Sequence, residues 1–307
     1  MPPGEQAMYT VIGATGHIGS VITKTLLEKG EKVRVVGRHG GKLQPFVLKG
    51  AEAMVADVTD AEALSRALDG SRAAFLMIPP SMAAADYRAE QEKTSDALSA
   101  AVRQSGLQYA VNLSSIGAQA PAGTGPILGA HASEQKLNAA EKLNVLHLRP
   151  AYFFENHLAG ISMIQMMGLF GGALQPDLRI PMIATKDIGA YAAERLLNLD
   201  FNGKRTQELL GERDLSMNDV TTVLGRALNR TDLRYAQFPY DQVQRVLMQM
   251  GTPIKTAALF IEMFQGINDG IVVGVELRSA RNTTRTSFET FAKEVFVPTY
   301  QGRAVGA

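Results

Sequence analysis

The string Gly13-Ala14-Thr15-Gly16-His17-Ile18-Gly19 follows the β-rich run Tyr9-Thr10-Val11-Ile12 and opens a helical apolar stripe of Ile18, Val21, Ile22 and Leu26 that ends at Gly30. A strand, a bare-backbone turn and an amphipathic helix in that order form half of a unit whose next strand lies parallel to the first. Parallel neighbours need a crossover of a dozen or more residues, usually a helix. The alternation continues. Short apolar runs at 33–36, 53–56, 73–78, 110–113 and 145–148 read as strands, and helix-periodic stretches at 61–68, 87–104 and 133–142 lie between them. Near-continuous apolar strands are the mark of a parallel sheet covered on both faces.

The expected class is therefore α/β, a Rossmann-type doubly wound parallel sheet, with a smaller, mainly helical C-terminal lobe. After Pro150 the rhythm changes. Residues 151–185 are rich in glycine and methionine, 186–199 reads as a helix, 208–210 as a strand, and 217–228, 240–250, 254–264 and 287–295 as helices. Ser216 is placed to cap the first of these, with Asp219 completing a capping box. Met163, Met166 and Met167 have helical spacing, which favours core positions over binding surface. Residues 1–150, with a return segment near 186–212, are expected to form the nucleotide-binding domain. Residues 151–185 and 213–307 then form the substrate-side lobe.

Composition narrows the chemistry. The chain has 307 residues, 31 Lys+Arg against 30 Asp+Glu, and no cysteine, so thiolate nucleophiles, disulfides, Cys-ligated zinc and iron–sulfur clusters are excluded. The five histidines show no metal-ligand spacing, and no metal site is expected. Neither the near-zero net charge nor the scattered Arg34, Arg38, Arg278, Arg281 and Arg285 suggests a nucleic-acid partner. No apolar run reaches the roughly 18–20 residues of a membrane span. Met1 to Ala7 lack the apolar core of a signal peptide. A cytoplasmic protein acting on a small molecule is expected.

At the start of an alternating α/β half, the glycine string is placed to hold a dinucleotide pyrophosphate against backbone N–H groups and the positive end of the helix dipole. Gly13, Thr15, Gly16, His17, Ile18 and Gly19 are the expected contacts. About 20 residues further on, NAD-binding folds carry an acid for the ribose 2′-hydroxyl. Here the stretch is Val36-Gly37-Arg38-His39-Gly40-Gly41-Lys42, with no acid. Arg38, with Lys42, suits a 2′-phosphate, so NADP(H) is favoured over NAD(H). Asp57 and Val58 are expected at the adenine, with the local capping box assigned to Thr59-Asp60-Ala61-Glu62. Ile78 and Pro79 are expected beside the middle of the cofactor.

The glycine loop, Arg38, Asp57 and Leu113-Ser114-Ser115 together resemble the short-chain dehydrogenase/reductase superfamily. His131 with Glu134, Leu148-Arg149-Pro150-Ala151-Tyr152-Phe153-Phe154-Glu155-Asn156, Ile180-Pro181-Met182, Thr185-Lys186-Asp187-Ile188-Gly189 and Ser287-Phe288-Glu289-Thr290-Phe291 narrow the resemblance to the NmrA-like group of atypical members. That group includes NADPH-dependent quinone reductases, relatives of isoflavone reductases, and cofactor-sensing regulators. The resemblance spans nearly the whole chain. It implies cofactor contacts from Ser114, Lys136 and Pro150, and a substrate pocket of Ser115, His131, Tyr152, Phe153 and Asn156. One departure matters. The superfamily's Tyr-x-x-x-Lys helix would place tyrosine four residues before Lys136, where Ala132 stands, and no tyrosine occurs between Tyr109 and Tyr152. His131 and Lys136 are then the candidate catalytic residues.

Two functions follow. One is an NADP(H)-binding oxidoreductase passing a hydride to a quinone-like acceptor, whose reduced oxygens take protons from water without a dedicated phenol. The other is a non-catalytic redox sensor that binds NADP(H) and reports to a protein partner.

Overall fold

The structure, a computed structural model, describes residues 7–303; of the segment Met1 to Ala7 weighed above as a signal peptide, the first six residues lie outside them. Five strand–helix units and a sixth strand open the chain: β1 (Met8–Ile12), α1 (His17–Glu28), β2 (Lys32–Gly37), α2 (Gly40–Val47), β3 (Glu52–Val55), α3 (Ala61–Leu68), β4 (Ser71–Leu76), α4 (Tyr87–Ser105), β5 (Tyr109–Leu113), α5 (Ile127–Asn138) and β6 (Asn144–Pro150). The second half carries β7 (Tyr152–Phe153), α6 (Ile161–Met167), β8 (Phe170–Gly172), β9 (Ile180–Ile183), α7 (Thr185–Asn198), β10 (Lys204–Leu209), β11 (Asp214–Leu215), α8 (Met217–Ala227), β12 (Tyr235–Gln237), α9 (Tyr240–Gln249) and α10 (Ile254–Asn268), before a last helical stretch at 288–300.

Among the described residues the main sheet has seven strands in the order β10-β6-β5-β4-β1-β2-β3, every pairing parallel. The chain runs outward from β1 to β3, returns to β4 on the other side of β1, and runs outward again. The reversal lies between β1 and β4, so a crevice opens beyond the carboxyl ends of those two strands. One face of the sheet buries Ile18, Ile22 and Leu26 of α1 with Ile188, Ala192 and Leu196 of α7. The other buries Leu64 and Leu68 of α3, Leu98 and Val102 of α4, and Leu137 of α5. A third cluster, built around Phe154, Phe288, Phe291 and Phe296, holds the C-terminal region together.

Several expectations are corrected. Helix α2, absent from the sequence reading, forms across Gly40, Gly41 and Pro45 because Leu43 and Phe46 are buried against the sheet. Helix α5 begins at Ile127 rather than 133 and ends at Asn138 rather than 142. It accommodates Gly129 because α4's Gln91 packs where a Cβ would stand. The methionines expected in the core are not there: Met166 is 79% exposed and Met167 66%, and only Ile164 of α6 is buried. The short strands β7, β8, β9, β11 and β12 form two small sheets that the sequence did not announce. Ser216 caps α8 in the expected box with Asp219.

Candidate active site

The glycine loop turns directly at the end of the central strand. Gly13 adopts a left-handed φ of +74° that favours glycine, and a Cβ there would lie 2.8 Å from the sulfur of Met77. The amide of Gly13 donates to Val36 O (3.1 Å) and that of Gly16 to Gly13 O (3.0 Å), which closes the turn. Gly19 lets α1 approach this turn: a Cβ on Gly19 would lie 2.3 Å from Gly13 O. Thr15, Gly16 and His17 are exposed at the mouth, while Ile18 and Gly19 are buried. Helix α1 has no side-chain cap and no acid in its first turn among the described residues, so its leading N–H groups and dipole are left for a ligand in the crevice. Bare backbone, an uncapped helix start and a glycine-dependent approach together fit a pyrophosphate.

The rim of the crevice is set by the next strand ends. Arg38, just beyond β2, is exposed and bonds no other side chain among the described residues. Lys42 of α2 shares a shallow cavity with Thr15, Lys24 and Lys49. Asp57, beyond β3, accepts from both the amide and the hydroxyl of Thr59 at Oδ1 (2.8 Å each). The Thr59 amide, then its hydroxyl, hold the carboxyl below its ordinary range, and the nearby Arg38 adds to this. This corrects the capping box. Asp60, not Thr59, caps α3, accepting from the amides of Glu62 and Ala63. Val58 and Ile78 pack against the α3–α4 face of the core, and Pro79 lies in the loop that follows β4.

Beyond β5 and β6 lies a cavity of about 330 Å³, in the range of small-molecule sites. Ser115 and Ile116 come from the end of β5. Ala151, Tyr152, Phe153 and Asn156 follow β6, and β7 fixes two of them by pairing Tyr152 with Met182 and Phe153 with Ile183. Helix α10 closes another side with Phe260, Met263 and Ile267. The walls are mostly aliphatic and aromatic. Burial pushes the Tyr152 hydroxyl up to about 12, opposed by a hydrogen bond with the Asn156 side chain, so the phenol stays protonated across the working range. Of the sequence-stated pocket residues, Ser115, Tyr152, Phe153 and Asn156 are brought together here.

Three other candidates are placed elsewhere. Lys136 points from α5 to α4, paired with Glu92 and Asp96; burial draws its amine down, and the two acids outweigh that and raise it. The Ser114 hydroxyl donates to Glu134 Oε1 and is buried beneath the site. His131 is held by a hydrogen bond from Nδ1 to Ala118 O (2.8 Å), one turn along α5 from the cavity-lining Ile127 and not itself in the wall. Pro150 ends β6, its carbonyl accepting from the Ile116 amide (3.0 Å), so it joins the two strand ends that carry the cavity.

Sequence reading missed the anchor under this floor. Arg149 makes a two-pronged ion pair with the buried Glu134 (2.9 and 2.6 Å), and Glu134 also takes the Ser114 hydroxyl. Burial raises the Glu134 carboxyl, but the Arg149 and Ser114 hydrogen bonds outweigh it and the net shift is downward. The two partners are fifteen residues apart in the chain, on a helix and a strand, with no local pattern to join them. The wall from α10 had a signal: Phe260, Met263 and Ile267 form one helical stripe, which the sequence reading did not single out. Among the described residues no group of three or more His, Asp or Glu is gathered as a metal site would require, and no helix is long and apolar enough to cross a membrane.

An NAD(P)H azoreductase of Xenophilus azovorans is 24% identical over 288 residues, 93% of this chain and 96% of that protein. The NADPH-dependent quinone oxidoreductase QOR2 of Escherichia coli, solved with NADPH, superposes with a TM-score of 0.78 at 20% identity, over 94% of this chain and 100% of that one. The triphenylmethane reductase of Citrobacter sp., solved with NADP(H), superposes with a TM-score of 0.73 at 17% identity, over 93% and 99%. At such identities the superpositions show a shared fold. The sequence itself matches the NmrA-like family over residues 5–292, and the chain belongs to that family.

Proposed function

We propose that this protein is an NAD(P)H-dependent oxidoreductase that reduces a small, flat, quinone-like acceptor, with NADP(H) preferred over NAD(H). The observation that carries this reading is the apolar cavity at the ends of β5 and β6, on the same edge of the sheet as the glycine cradle. The names of the relatives agree: an azoreductase, a quinone oxidoreductase and a dye reductase. In this reading residues 1–150, with the return segment near 186–212, hold the cofactor, and 151–185 with 213–307 shape the acceptor site.

The nicotinamide, when bound, supplies the hydride. The chain's own residues do the rest. Gly13, Gly16 and the start of α1 hold the pyrophosphate. Arg38 supplies a planar donor fork for a 2′-phosphate, and Lys42, Lys24 and Lys49 add positive charge beside it. Tyr152 and Phe153 offer flat faces to an aromatic acceptor, and Ser115 and Asn156 offer hydrogen bonds to its oxygens. No side chain in the cavity wall is an acid near neutrality, so the protons reach the reduced acceptor from water. That suits a quinone, whose reduction does not depend on a positioned acid, and not a simple ketone.

The test is consumption of NADPH, and of NADH in parallel, with a panel of simple quinones. Turnover is expected, with kcat/KM at least tenfold higher for NADPH, the worth of one charge-assisted contact to the 2′-phosphate. Tight NADPH binding without turnover over the whole panel would assign the site to redox sensing instead, and equal use of both cofactors would remove the role of Arg38.

A further inference from the structure

Among the described residues, Arg179 is the one charged side chain in the wall of the acceptor cavity. It stands between Leu178 and Ile180 at the entry to β9, where neither pairing nor core packing calls for a cation. Two contacts hold it at the rim. Its Nη1 donates to Asp214 O (3.0 Å) and its Nη2 pairs with Asp219 (2.9 Å). Asp219 is fixed in turn, because it accepts from the Ser216 amide in the cap of α8 (3.0 Å). A guanidinium has five N–H donors, and these contacts occupy two. The same side chain also lines a second hollow of about 260 Å³, which it shares with Arg213, Arg226, Asp219 and Glu289. Arg213 is neutralised there by Glu212 and Glu289, whereas Arg226 makes no ion pair among the described residues. An apolar slot thus ends at a rim where Arg179 keeps open donors and Arg226 keeps its charge.

We propose that Arg179 is a specificity residue that selects acceptors carrying an anionic substituent, a sulfonate or carboxylate, on an aromatic body. The proposal rests on the acceptor site described above. The aromatic part lies between Tyr152, Phe153 and Met263, and the anion reaches the rim. There a planar fork already held in position loses little freedom on pairing with it. Water remains at this half-open end, so the gain is that of a screened charge-assisted hydrogen bond rather than a buried ion pair.

The experiment compares wild type, Arg179→Gln and Arg179→Lys with naphthoquinone and naphthoquinone sulfonate as paired acceptors. Equilibrium dialysis of naphthalene sulfonate against the NADP+-loaded proteins runs alongside. The preference for sulfonated over neutral acceptor is expected to fall roughly tenfold in Arg179→Gln, mainly through KM, with partial rescue by lysine. Added salt is expected to narrow the wild-type preference. A preference unchanged by Arg179→Gln, or equal losses on both acceptors, overturns the role. If neither quinone is reduced, the reading of the activity fails and dialysis alone decides: equal naphthalene sulfonate affinity in wild type and Arg179→Gln overturns the proposal.

Discussion

Gly19→Ala is expected to weaken NADP(H) binding about a hundredfold while leaving the fold in place. The new Cβ would lie 2.3 Å from Gly13 O, 2.8 Å from Gly13 C and 2.9 Å from Ala14 Cα, all of them backbone. Helix α1 cannot retreat, because Ile22 and Leu26 are completely buried beneath it. The glycine turn is exposed on its outer side and moves instead, which displaces the Gly16 and His17 amides from the helix start. Overpacking of this kind costs about 1–3 kcal/mol, and a hundredfold change in affinity corresponds to about 2.7 kcal/mol. Titration of the variant with NADPH, with circular dichroism as the check on folding, measures it. Unchanged affinity would show that the loop does not carry the pyrophosphate.

The largest stability effect is expected in acid. His147 is buried between β6 and α5; it accepts from Asn112 Nδ2 at Nδ1 (3.1 Å) and donates from Nε2 to Asn138 Oδ1 (3.0 Å), an arrangement with no place for a second proton. Burial lowers it to about 4 against the pull of Glu134, with Arg149 and Lys204 adding to the lowering. His157 is enclosed by Tyr152, Phe170 and Phe288, donates from Nδ1 to Phe154 O (2.9 Å) and leaves Nε2 without a partner. Burial lowers it also to about 4, the Phe154 carbonyl opposing. Because both folded values lie below the ordinary 6.5, the unfolded chain binds the protons first as pH falls. The stability these residues confer is complete above pH 6.5 and is lost between 6.5 and 4, roughly 2–3 kcal/mol for each. Below about 4.5 the depressed carboxyl of Glu134 adds a further loss. Urea midpoints measured from pH 8 to pH 4.5 should be flat at first and then fall steeply. A flat profile throughout would mean that neither ring is held neutral by the fold.

How far the site was legible depended on whether its parts are local. The cradle is a single segment of chain whose glycines, strand and helix announce one another, and Arg38 and Asp57 follow from where parallel strands must end. Tyr152, Phe153 and Asn156 were expected from the family resemblance, and they meet in the cavity wall because they continue β6. Ser114 and Lys136 occupy recognisable places, but contacts from elsewhere decided where their side chains go. Glu134 captured the Ser114 hydroxyl, and two acids on α4 captured Lys136. The cavity's other walls come from α10 and from β9, more than eighty residues further along the chain in the case of α10, where the same stripe of apolar residues serves core and pocket alike. The exposed Met166 and Met167 show the converse: helical spacing identifies one face of a helix but not what covers it.

The most direct test of the acceptor cavity beside the cofactor cradle is naphthoquinone-dependent NADPH oxidation by wild type and Met263→Trp, compared at saturating NADPH. Met263 lines the cavity from α10 and is only partly buried, so an indole there fills the cavity without touching the glycine loop. The wild type is expected to oxidise NADPH, and the filled variant to lose at least tenfold in kcat/KM for the quinone while binding NADPH as before. Full turnover in Met263→Trp, or none in the wild type despite tight NADPH binding, would contradict hydride transfer in this cavity.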